Sequence, residues 1–218
     1  MDNVQTEFMN ILHAISFHSK KLVNKIRTYP KMYFDFWYLR SKGVDTKWGY
    51  VRLEGLPIIS KTKGSTISIG KGATLVSRSK NNLAGINHPV IIATLTESAY
   101  IFIGRCGISG SSICSAISIT MGNDSGLGAN SNIYDTDFHP IDAEVRRHNN
   151  HVKNALAKAV TIGENVWVAS NCTILKGVSI GDNAIVGACS VVTKNVFADT
   201  MVAGNPAKEI RKLFKENT

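Results

Sequence analysis

Residues 162–196 read IGENVWVASNCTILKGVSIGDNAIVGACSVVTKNV, and this stretch decides the fold. An aliphatic residue returns at every sixth position, and a small or β-branched residue follows four positions after each of them. The first series is Ile162, Val168, Ile174, Ile180, Val186 and Val192, and the second is Val166, Cys172, Val178, Ala184, Ser190 and Val196. A period of six is neither the period of a helix nor the alternation of a plain strand, so it indicates a repeat fold.

An earlier block repeats the same period in a different phase. Its members are Ile103, Ser109, Ser115, Met121, Leu127 and Ile133. The two serines make this block weaker than the later one, and a fragment at residues 67–73 begins the pattern once more. Together the blocks predict that one repeat architecture occupies residues 61–204.

The period also selects the architecture. A short strand and one corner use six residues, so three such units close a triangular coil of about 18 residues. One aliphatic side chain per face then points into the prism, and stacked coils bury a continuous apolar core. The chain contains 18 glycines but only 5 prolines, which is typical of a fold with frequent corners. The expected fold class is an all-β solenoid of stacked parallel coils.

Two breaks in the period predict loops that leave the prism. Ile133 and Ile162 are 29 residues apart, which is not a multiple of six, so a loop must lie between them. The polar and basic segment 142–158 fits that excursion, and a second break lies at residues 77–89. Insertions of this kind commonly build the binding face of a repeat protein.

Both ends of the chain are expected to be helical. Asn205 suits a helix N-cap and Pro206 suits the first turn, which predicts a helix over residues 205–218. Near the start, apolar residues recur at helical spacing until Pro30 ends the pattern; they are Val4, Phe8, Ile11, Leu12, Ile15, Leu22 and Ile26. We divide the chain into a helical and aromatic cap at 1–60, the solenoid at 61–204 with an excursion at about 140–158, and the C-terminal helix at 205–218.

A stretch rich in aromatic residues follows Pro30, next to a cluster of basic residues. One interpretation is an amphipathic element that makes peripheral contact with a membrane near a lipid-linked substrate. The other is a cap that packs its apolar face on the end of the solenoid, and we favour it because a solenoid end needs covering. The aromatic residues are Tyr33, Phe34, Phe36, Trp37, Tyr38, Trp48 and Tyr50, and the basic ones are Lys20, Lys21, Lys25, Arg27 and Lys31.

The composition is that of a folded globular chain, with 218 residues of which 44% are hydrophobic and 19% charged. The net charge of +9 is uneven, since residues 1–63 carry 11 Lys and Arg against 5 Asp and Glu. No nucleic-acid-binding motif accompanies this charge, so we expect no nucleic-acid partner. Coenzyme phosphates, anionic sugars or an anionic membrane surface suit the bias better.

The sequence shows no membrane-spanning segment, no signal peptide and no cysteine motif. No apolar run approaches the roughly 20 residues of a spanning helix, and the chain does not open like a signal peptide. The four cysteines form neither a disulfide framework nor a zinc-binding spacing. We therefore expect a cytoplasmic protein that holds no metal.

Several motifs in the C-terminal third extend the repeat: Asn165-Val166-Trp167-Val168, Ile174-Leu175-Lys176-Gly177-Val178, Val191-Val192-Thr193-Lys194 and Ala203-Gly204-Asn205-Pro206-Ala207-Lys208. They resemble the hexapeptide-repeat acyltransferases of the left-handed β-helix fold, and in particular the sugar O-acetyltransferase branch of galactoside, maltose and polysaccharide enzymes. The resemblance covers residues 64–214. It implies homotrimers with acetyl-CoA sites between neighbouring prisms, where a loop of one subunit helps to close the site of the next.

The segment Tyr134-Asp135-Thr136-Asp137-Phe138-His139-Pro140 resembles the part of the family that carries the catalytic histidine. Acyl transfer to an alcohol needs a base of near-neutral pKa, which an imidazole provides. His139 also lies where the first repeat block ends and the excursion begins. The imidazole of His139 would take the proton of a substrate hydroxyl. The hydroxyl oxygen would then attack the acetyl group directly, without a covalent acyl-enzyme.

Two aspartates alternate with this histidine. In an extended chain Asp135, Asp137 and His139 would all face one way. We expect Asp137 to orient the imidazole and Asp135 to bind a sugar hydroxyl of the acceptor. Turn-forming aspartates at a corner of the prism are the alternative interpretation.

The acceptor is expected to differ from that of the galactoside enzymes. Where those enzymes carry acceptor-binding asparagine and aspartate, this chain reads ISGSS at 108–112 and CSA at 114–116. Ser109, Ser111 and His88 are the candidates for acceptor contacts in their place. The expected acceptor is a sugar or glycan.

The resemblance places acetyl-CoA, as a co-substrate, along the C-terminal coils. The matching positions form three groups: one near the pantetheine arm, one at the nucleotide end and one at the phosphates. In that order they are Trp167, Ser170 and Ala188, then Thr193 and Lys194, then Lys208 and Arg211. Ordinary repeat packing is the alternative interpretation for Trp167 and Ala188.

The predicted function is acetyl-CoA-dependent O-acetylation of a sugar or polysaccharide precursor, as in polysaccharide biosynthesis. An antibiotic O-acetyltransferase of the phenicol or streptogramin type differs only in its acceptor and stays open. A zinc-dependent carbonic anhydrase-like protein needs three histidines on a metal, and His139, His148 and His151 lack the required spacing. A non-catalytic hexapeptide scaffold is the remaining alternative.

Overall fold

The computed structural model describes residues 30–149 and 151–213, and every structural statement below concerns these residues. They form a left-handed β-helix in which the chain visits three sheets in turn. Each circuit adds one short strand to each sheet, and each strand pairs in parallel with the strands of the coils above and below. The predicted solenoid is therefore confirmed.

The strands are numbered along the chain and grouped by sheet. Sheet 1 contains β1 Val51–Glu54, β4 Ala73–Val76, β7 Gly107–Ser109, β10 Gly126–Leu127, β13 Trp167–Val168, β16 Ile185–Val186, β18 Thr200–Ala203 and β19 Lys208–Lys212. Sheet 2 contains β2 Ile58–Ser60, β5 Ile91–Thr94, β8 Ser112–Ser115, β11 Asn132–Tyr134, β14 Thr173–Ile174 and β17 Val191–Val192. Sheet 3 contains β3 Thr66–Ile69, β6 Tyr100–Ile103, β9 Ser118–Met121, β12 Val160–Ile162 and β15 Ser179–Ile180.

The aliphatic series of the later block lines the core. Ile162 pairs with Ile180 and Val168 with Val186, so residues 18 apart stack in successive coils. All twelve members of the two predicted series are buried, and the largest exposure among them is the 6% of Val196. Stacked side chains of this kind form one continuous apolar column, which confirms the six-residue period as a core signal.

In the earlier block Ile108 is the inward residue in place of the predicted Ser109, and Ile113 lies inward together with the predicted Ser115, which is also fully buried. Both isoleucines are fully buried and pair with core residues of β10 and β11. Counted from Ile103, they follow at intervals of five residues, because two corners there are one residue shorter than in the later block. The strict period of six is therefore wrong over this stretch.

The prism has three edges, which we name by the sheets that they join: the 1–2, 2–3 and 3–1 edges. Left-handed backbone at these corners comes mainly from polar residues and not from the repeat glycines. On the 1–2 edge the non-glycine residues with a positive φ are Asn130, Asn171 and Cys189, and on the 3–1 edge they are Asp124, Asn165, Asn183 and Asp199. A Cβ built on Gly122 would lie 2.6 Å from the carbonyl oxygen of Gly163, so repeat glycines permit close approach of coils.

A helix, α1, covers residues 30–41 and packs on the first coil of the solenoid. Leu39 is fully buried in the same core as the β-strands. The Asp35 carboxylate accepts the N–H of Leu53 in β1 at 3.1 Å and the ammonium of Lys31 at 2.7 Å. One face of α1 thus covers the end of the prism.

Pro30 is itself helical, and the aromatic residues from Tyr33 to Tyr38 belong to α1. A proline disturbs the helical turn that precedes it and leaves the turns after it intact. The apolar spacing predicted at residues 4–26 lies outside the described residues. Within the described ranges, no helix is both long and apolar enough to cross a bilayer.

Two segments leave the prism. The first joins β4 to β5 at the 1–2 edge and contains a 3₁₀ turn at Ser79–Asn81. The second, which we call the 2–3 loop, joins β11 to β12 and contains α2 Ala143–His148 and a 3₁₀ turn at Val152–Asn154. The Asp142 side chain caps α2 by accepting the N–H groups of Glu144 and Val145.

The expected C-terminal helix is wrong for the described residues, because Lys208–Lys212 form β19 instead. This strand pairs antiparallel with β18 and closes a hairpin at the end of sheet 1. The Ala207 N–H donates to the carbonyl of Val191 at 2.8 Å, which holds the connection on β17. Pairing with an open sheet edge satisfies backbone groups that a short, isolated helix would leave to water.

Candidate active site

The candidate residues lie along two of the three edges of the prism. The 2–3 edge carries the segment of His139 and, on later coils, the Thr193–Lys194 corner. The 1–2 edge carries the segment of His88, the Ser109–Ser111 corner, and on later coils Ser170 and Ala188. Within one chain the predicted base and most of the predicted pantetheine positions are therefore on different edges.

His139 is exposed and lies in a turn directly after β11. Its backbone N–H donates to the carbonyl oxygen of Asp137 at 2.7 Å. Phe138 between them has a φ of 61°, and its ring packs edge-on against Tyr134 with 5.1 Å between ring centroids. The chain is therefore bent at this point, and the extended arrangement expected for Asp135, Asp137 and His139 is wrong.

Asp137 is tied to the next coil of the prism. Its Oδ1 atom lies 2.6 Å from Nζ of Lys176, and both side chains are about one-third exposed, at 29% and 31%. The backbone N–H of Asp137 also donates to the carbonyl of Leu156 at 3.0 Å. The two ends of the 2–3 loop are thus joined to each other and to the corner that follows β14.

Asp135 has no exposed surface. Its carboxylate accepts the hydroxyl of Ser115 at 2.6 Å and the backbone N–H groups of Ala116, Ile117 and Ser118 at 2.6, 2.9 and 2.7 Å. A buried carboxylate with four donors holds the β8–β9 corner and is not available to a substrate. The predicted acceptor-binding role of Asp135 is therefore wrong.

Ser111 is also unavailable to an acceptor. It is fully buried, its hydroxyl lies 2.9 Å from the carbonyls of Ser109 and Gly128, and it accepts the N–H of Ser131 at 3.2 Å. The predicted substrate contact is wrong because these groups use the hydroxyl to join two coils. Ser109 is half-buried on the same edge and remains a candidate.

His88 lies in the segment between β4 and β5, half-buried, with Nδ1 2.7 Å from the carbonyl of Pro89. The segment is held on the 1–2 edge by Asn130, whose amide accepts the N–H of Asn87 and donates to the carbonyl of Gly85. His88 and Ser109 therefore lie on the same edge. They are the two predicted acceptor-binding residues that are left after Asp135 and Ser111 are excluded.

A groove of about 320 Å³ lies at the C-terminal end of the 2–3 edge, between β17 and the final hairpin. Its lining includes Thr193, Lys194 and Lys208, three of the residues predicted to meet the nucleotide end of the coenzyme. Phe197 forms part of its wall, and Glu209 adds one acidic group. Two ammonium groups at the mouth of a groove suit phosphate oxygens.

Arg211 does not line this groove, whereas Lys212 lies beside it. The ammonium of Lys212 donates to the hydroxyl of Thr200 at 2.9 Å and lies 5.3 Å from the centre of the Phe197 ring. Sequence reasoning missed Lys212 because it assumed a helix at these residues. β19 contains a bulge opposite Met201 and Val202, so Lys212 pairs with Thr200 whereas Lys208 pairs with Ala203 on the other face. Regular alternation along a strand would therefore not have found Lys212 either.

Trp167, Ser170 and Ala188 lie on or beside the 1–2 edge. Trp167 is 60% exposed on β13, which marks it as an unusual residue for a repeat position. The backbone carbonyl of Ser170 accepts the N–H of Cys189 at 3.0 Å. This bond between coils does not use the hydroxyl of Ser170. Ala188 is exposed and short, which keeps the wall of the coil low at this point.

Two of the buried thiols do not suit a nucleophile. Burial, together with the negative charge of Asp135, raises the pKa of Cys114 to about 11. Burial likewise raises the pKa of Cys106 to about 11. A thiolate is the reactive form, so both groups are inert near neutral pH. Among residues 30–149 and 151–213, no group of three or more His, Cys, Asp or Glu side chains is arranged to hold a metal ion.

Comparison with known proteins gives matches in the repeat region. Residues 159–194 match the family described as bacterial transferase hexapeptide, six repeats. The galactoside O-acetyltransferase of Escherichia coli K12 is 39% identical over 75 residues, which are 34% of this chain and 35% of that protein. A chloramphenicol acetyltransferase of Agrobacterium fabrum is 44% identical over 57 residues, 26% of this chain and 27% of that protein.

Among solved structures, a mutant of AntD, an N-acyltransferase from Bacillus cereus in complex with dTDP and coenzyme A, has the same fold. It covers 76% of this chain and 84% of its own, with a TM-score of 0.54 and 17% identity. The chain spans less than half of the length of the curated relatives that it matches. The family match covers residues 159–194, which are 36 of the 218 residues, and it agrees with the six-residue repeats and the stacked parallel coils.

Proposed function

We propose that this protein is an acetyl-CoA-dependent O-acetyltransferase that acts on a hydroxyl of a sugar or polysaccharide precursor, with His139 as the general base. The observation that carries the proposal is the position of His139. It is exposed on a loop whose base is clamped to the 2–3 edge by the Asp137–Lys176 ion pair. The same edge leads, two coils further on, to the groove of Lys194 and Lys208.

The chemistry is a direct transfer. Acetyl-CoA supplies an acetyl group activated as a thioester. The His139 imidazole takes the proton of the acceptor hydroxyl as its oxygen attacks the carbonyl carbon, and backbone N–H groups stabilise the oxyanion. The imidazolium then returns the proton to the departing thiolate, so the products are an acetyl ester and free CoA. The inert thiols of Cys106 and Cys114 agree with a mechanism that needs no acyl-enzyme.

The described residues fit the coenzyme at two places. The groove with Lys194 and Lys208 is cationic and suits the phosphates, and Lys212 beside it adds a third ammonium group. The exposed Trp167, with Ser170 and Ala188 nearby, offers an apolar wall and free polar groups to the pantetheine arm. These two places lie on different edges of one prism.

A homotrimer would unite the two edges. In a three-fold ring each copy presents its 1–2 edge to one neighbour and its 2–3 edge to the other. The 2–3 loop supports this arrangement, since its apolar side chains Ile141, Val145 and Leu156 are 67%, 40% and 57% exposed. Such a surface suits burial against a neighbouring copy. A cytoplasmic location is part of the same proposal, because acetyl-CoA is a cytoplasmic metabolite.

A phenicol antibiotic is the second candidate acceptor. The similarity to chloramphenicol acetyltransferase over 57 residues favours it, although that stretch is only 26% of this chain. The reaction at His139 would be unchanged, because both acceptors present a hydroxyl. Ser109 and His88 would meet the acceptor in either case, from the 1–2 edge of a neighbouring copy.

The test is acetyl-CoA-dependent release of CoA thiol across sugars, nucleotide sugars, glycans and phenicols. The wild-type protein should turn over one of these classes, and His139→Ala should lower kcat by about two to four orders of magnitude. Calorimetry should show that the variant still binds CoA. Near-normal turnover by His139→Ala would exclude it as the base, and absence of CoA binding by the wild type would favour a non-catalytic scaffold.

A further inference from the structure

The helix α1 has a second face that the solenoid does not cover. Its buried face carries Asp35 and Leu39, which are 4% and 0% exposed. The opposite side carries Tyr33 and Trp37, which are 58% and 53% exposed although both are large aromatic residues. The cap and the membrane interpretations of this segment therefore concern two different faces of one helix.

Four rings on the outer face form one cluster, which we call the aromatic patch: Tyr33, Phe36, Trp37 and Trp48. The ring centroids of Tyr33 and Trp48 are 5.5 Å apart, and those of Phe36 and Trp37 are 5.6 Å apart. Further contacts of 6.1 Å and 5.9 Å close the cluster. Trp48 lies in the connection after α1 and is itself 43% exposed. Contiguous exposed aromatic surface of this kind marks an interaction site.

Basic side chains lie in or beside the turn that carries Trp48 of the aromatic patch, and we call them its basic rim. Lys42 and Lys47 are exposed in the turn that follows α1, and the Lys61 side chain reaches the same turn beside Gly43. The acidic group of the turn, Asp45, already faces the guanidinium of Arg40 at 3.6 Å.

We propose that the aromatic patch docks the protein on an anionic membrane surface. Tyrosine and tryptophan have an apolar ring and a polar atom, so they are favoured at the level of the lipid headgroups. Lysine side chains near that surface add an attraction to anionic lipids that salt weakens. The patch and its basic rim supply both terms from one side of the solenoid end.

A second copy of this chain is a poorer occupant. A symmetric contact through the patch would bring the basic rim of one copy against the same rim of the other, because a two-fold interface pairs equal surfaces. Among the described residues of this turn, only Asp45 could compensate Lys42, Lys47 and Lys61 of the other copy, and Asp45 is already paired with Arg40. An anionic bilayer has the complementary charge and no such repulsion.

The experiment is co-sedimentation of the full-length protein with phosphatidylcholine vesicles and with vesicles that also contain phosphatidylglycerol. We expect binding to the anionic vesicles, a blue shift of tryptophan emission, and loss of binding as salt is raised. The double variant Trp37→Ala/Trp48→Ala should lower the partition coefficient at least about tenfold. Leu83→Ala removes an even more exposed apolar side chain outside the patch and should bind like the wild type.

A second variant, Lys42→Glu/Lys47→Glu, keeps the rings and should weaken binding to anionic vesicles alone. Unchanged thermal unfolding of each variant shows that the fold is intact. The proposal is overturned if the wild type ignores anionic vesicles or if the tryptophan variant binds them as well as the wild type. It is also overturned if the variant instead changes the oligomeric mass, which would identify a second copy as the occupant.

Discussion

The Nζ atom of Lys176 lies 2.6 Å from Oδ1 of Asp137, and this ion pair joins neighbouring coils through two residues that are 39 positions apart in the chain. Asp137 also accepts the backbone N–H of His139 through its carbonyl oxygen. The side chain and the backbone of one residue therefore connect the candidate base to the rigid prism. Lys176 is in this sense a positioning residue, because it acts on the imidazole through Asp137.

We predict that Lys176→Met lowers kcat about tenfold and leaves the KM for acetyl-CoA within about twofold. An ion pair of this exposure contributes about 1 kcal/mol, which corresponds to roughly a factor of five to ten in the population of the ordered loop. Steady-state kinetics measures the split between kcat and KM. Lys176→Arg should retain most of kcat, and Lys71→Met is a control at an exposed corner of an early coil. A change in thermal stability with unaltered kcat would contradict the positioning role.

Asp135 is predicted to be structural. Asp135→Ala removes the acceptor of three buried backbone N–H groups and one hydroxyl, and should lower the free energy of unfolding by about 3 kcal/mol. Denaturant unfolding measures the difference. Asp137→Ala, at a partly exposed carboxylate, should cost about 1 kcal/mol or less. If Asp135→Ala unfolded like the wild type and only raised the KM of the acceptor, the original assignment would be restored.

Lys194→Ala and Lys208→Ala should each raise the KM for acetyl-CoA about tenfold while kcat changes less. The reason is that a charge-assisted hydrogen bond to a phosphate is made equally in the ground state and the transition state. Initial rates at varied acetyl-CoA provide the measurement. Lys212→Ala should behave in the same way and Arg211→Ala should have little effect, since Arg211 does not line the groove. A larger effect of Arg211→Ala than of Lys212→Ala would favour the prediction made from the sequence, in which Arg211 binds a phosphate.

Gly122→Ala should lower the free energy of unfolding by about 1–3 kcal/mol, because its new Cβ would overlap the backbone of the next coil. Gly126→Ala is the matched control, since a Cβ there has no heavy atom within 4 Å. It should be neutral or stabilise slightly, by restricting the unfolded chain. Chemical denaturation compares the two variants. Equal effects would show that close approach of the coils is not the reason for these glycines.

The cysteines should react with iodoacetamide in a defined order. Cys189 is exposed and should be modified first at pH 8, whereas burial raises the pKa of Cys106 and Cys114 to about 11. Their reaction should accelerate only as the pH rises towards that value, because the thiolate is the nucleophile. Mass spectrometry of digested samples locates the label, and Cys189→Ser removes the fast site. Rapid labelling of Cys114 at pH 8 in that variant would contradict the protonated thiol.

Some of the candidate site could be predicted from the sequence. The exposed position of His139 at the end of a repeat block follows from the break in period, and the grouping of Thr193, Lys194 and Lys208 follows from the resemblance. The roles of Asp135 and Asp137 could not be separated, because alternation treats them alike. The four donors that bury Asp135 come from Ser115 to Ser118, which are 17 to 20 residues away in the chain.

By itself the sequence determined the solenoid, the buried face of the repeats at residues 162–196 and the sites at which loops leave the prism. These properties are periodic and local, since each coil contacts only the coils above and below. Only the tertiary structure decided that Lys176 holds Asp137, that Ser111 joins two coils and that the C-terminal segment is a strand. Each of these depends on which groups lie nearby in the next coil, where a side chain or an open sheet edge offers a hydrogen bond that the local pattern does not contain.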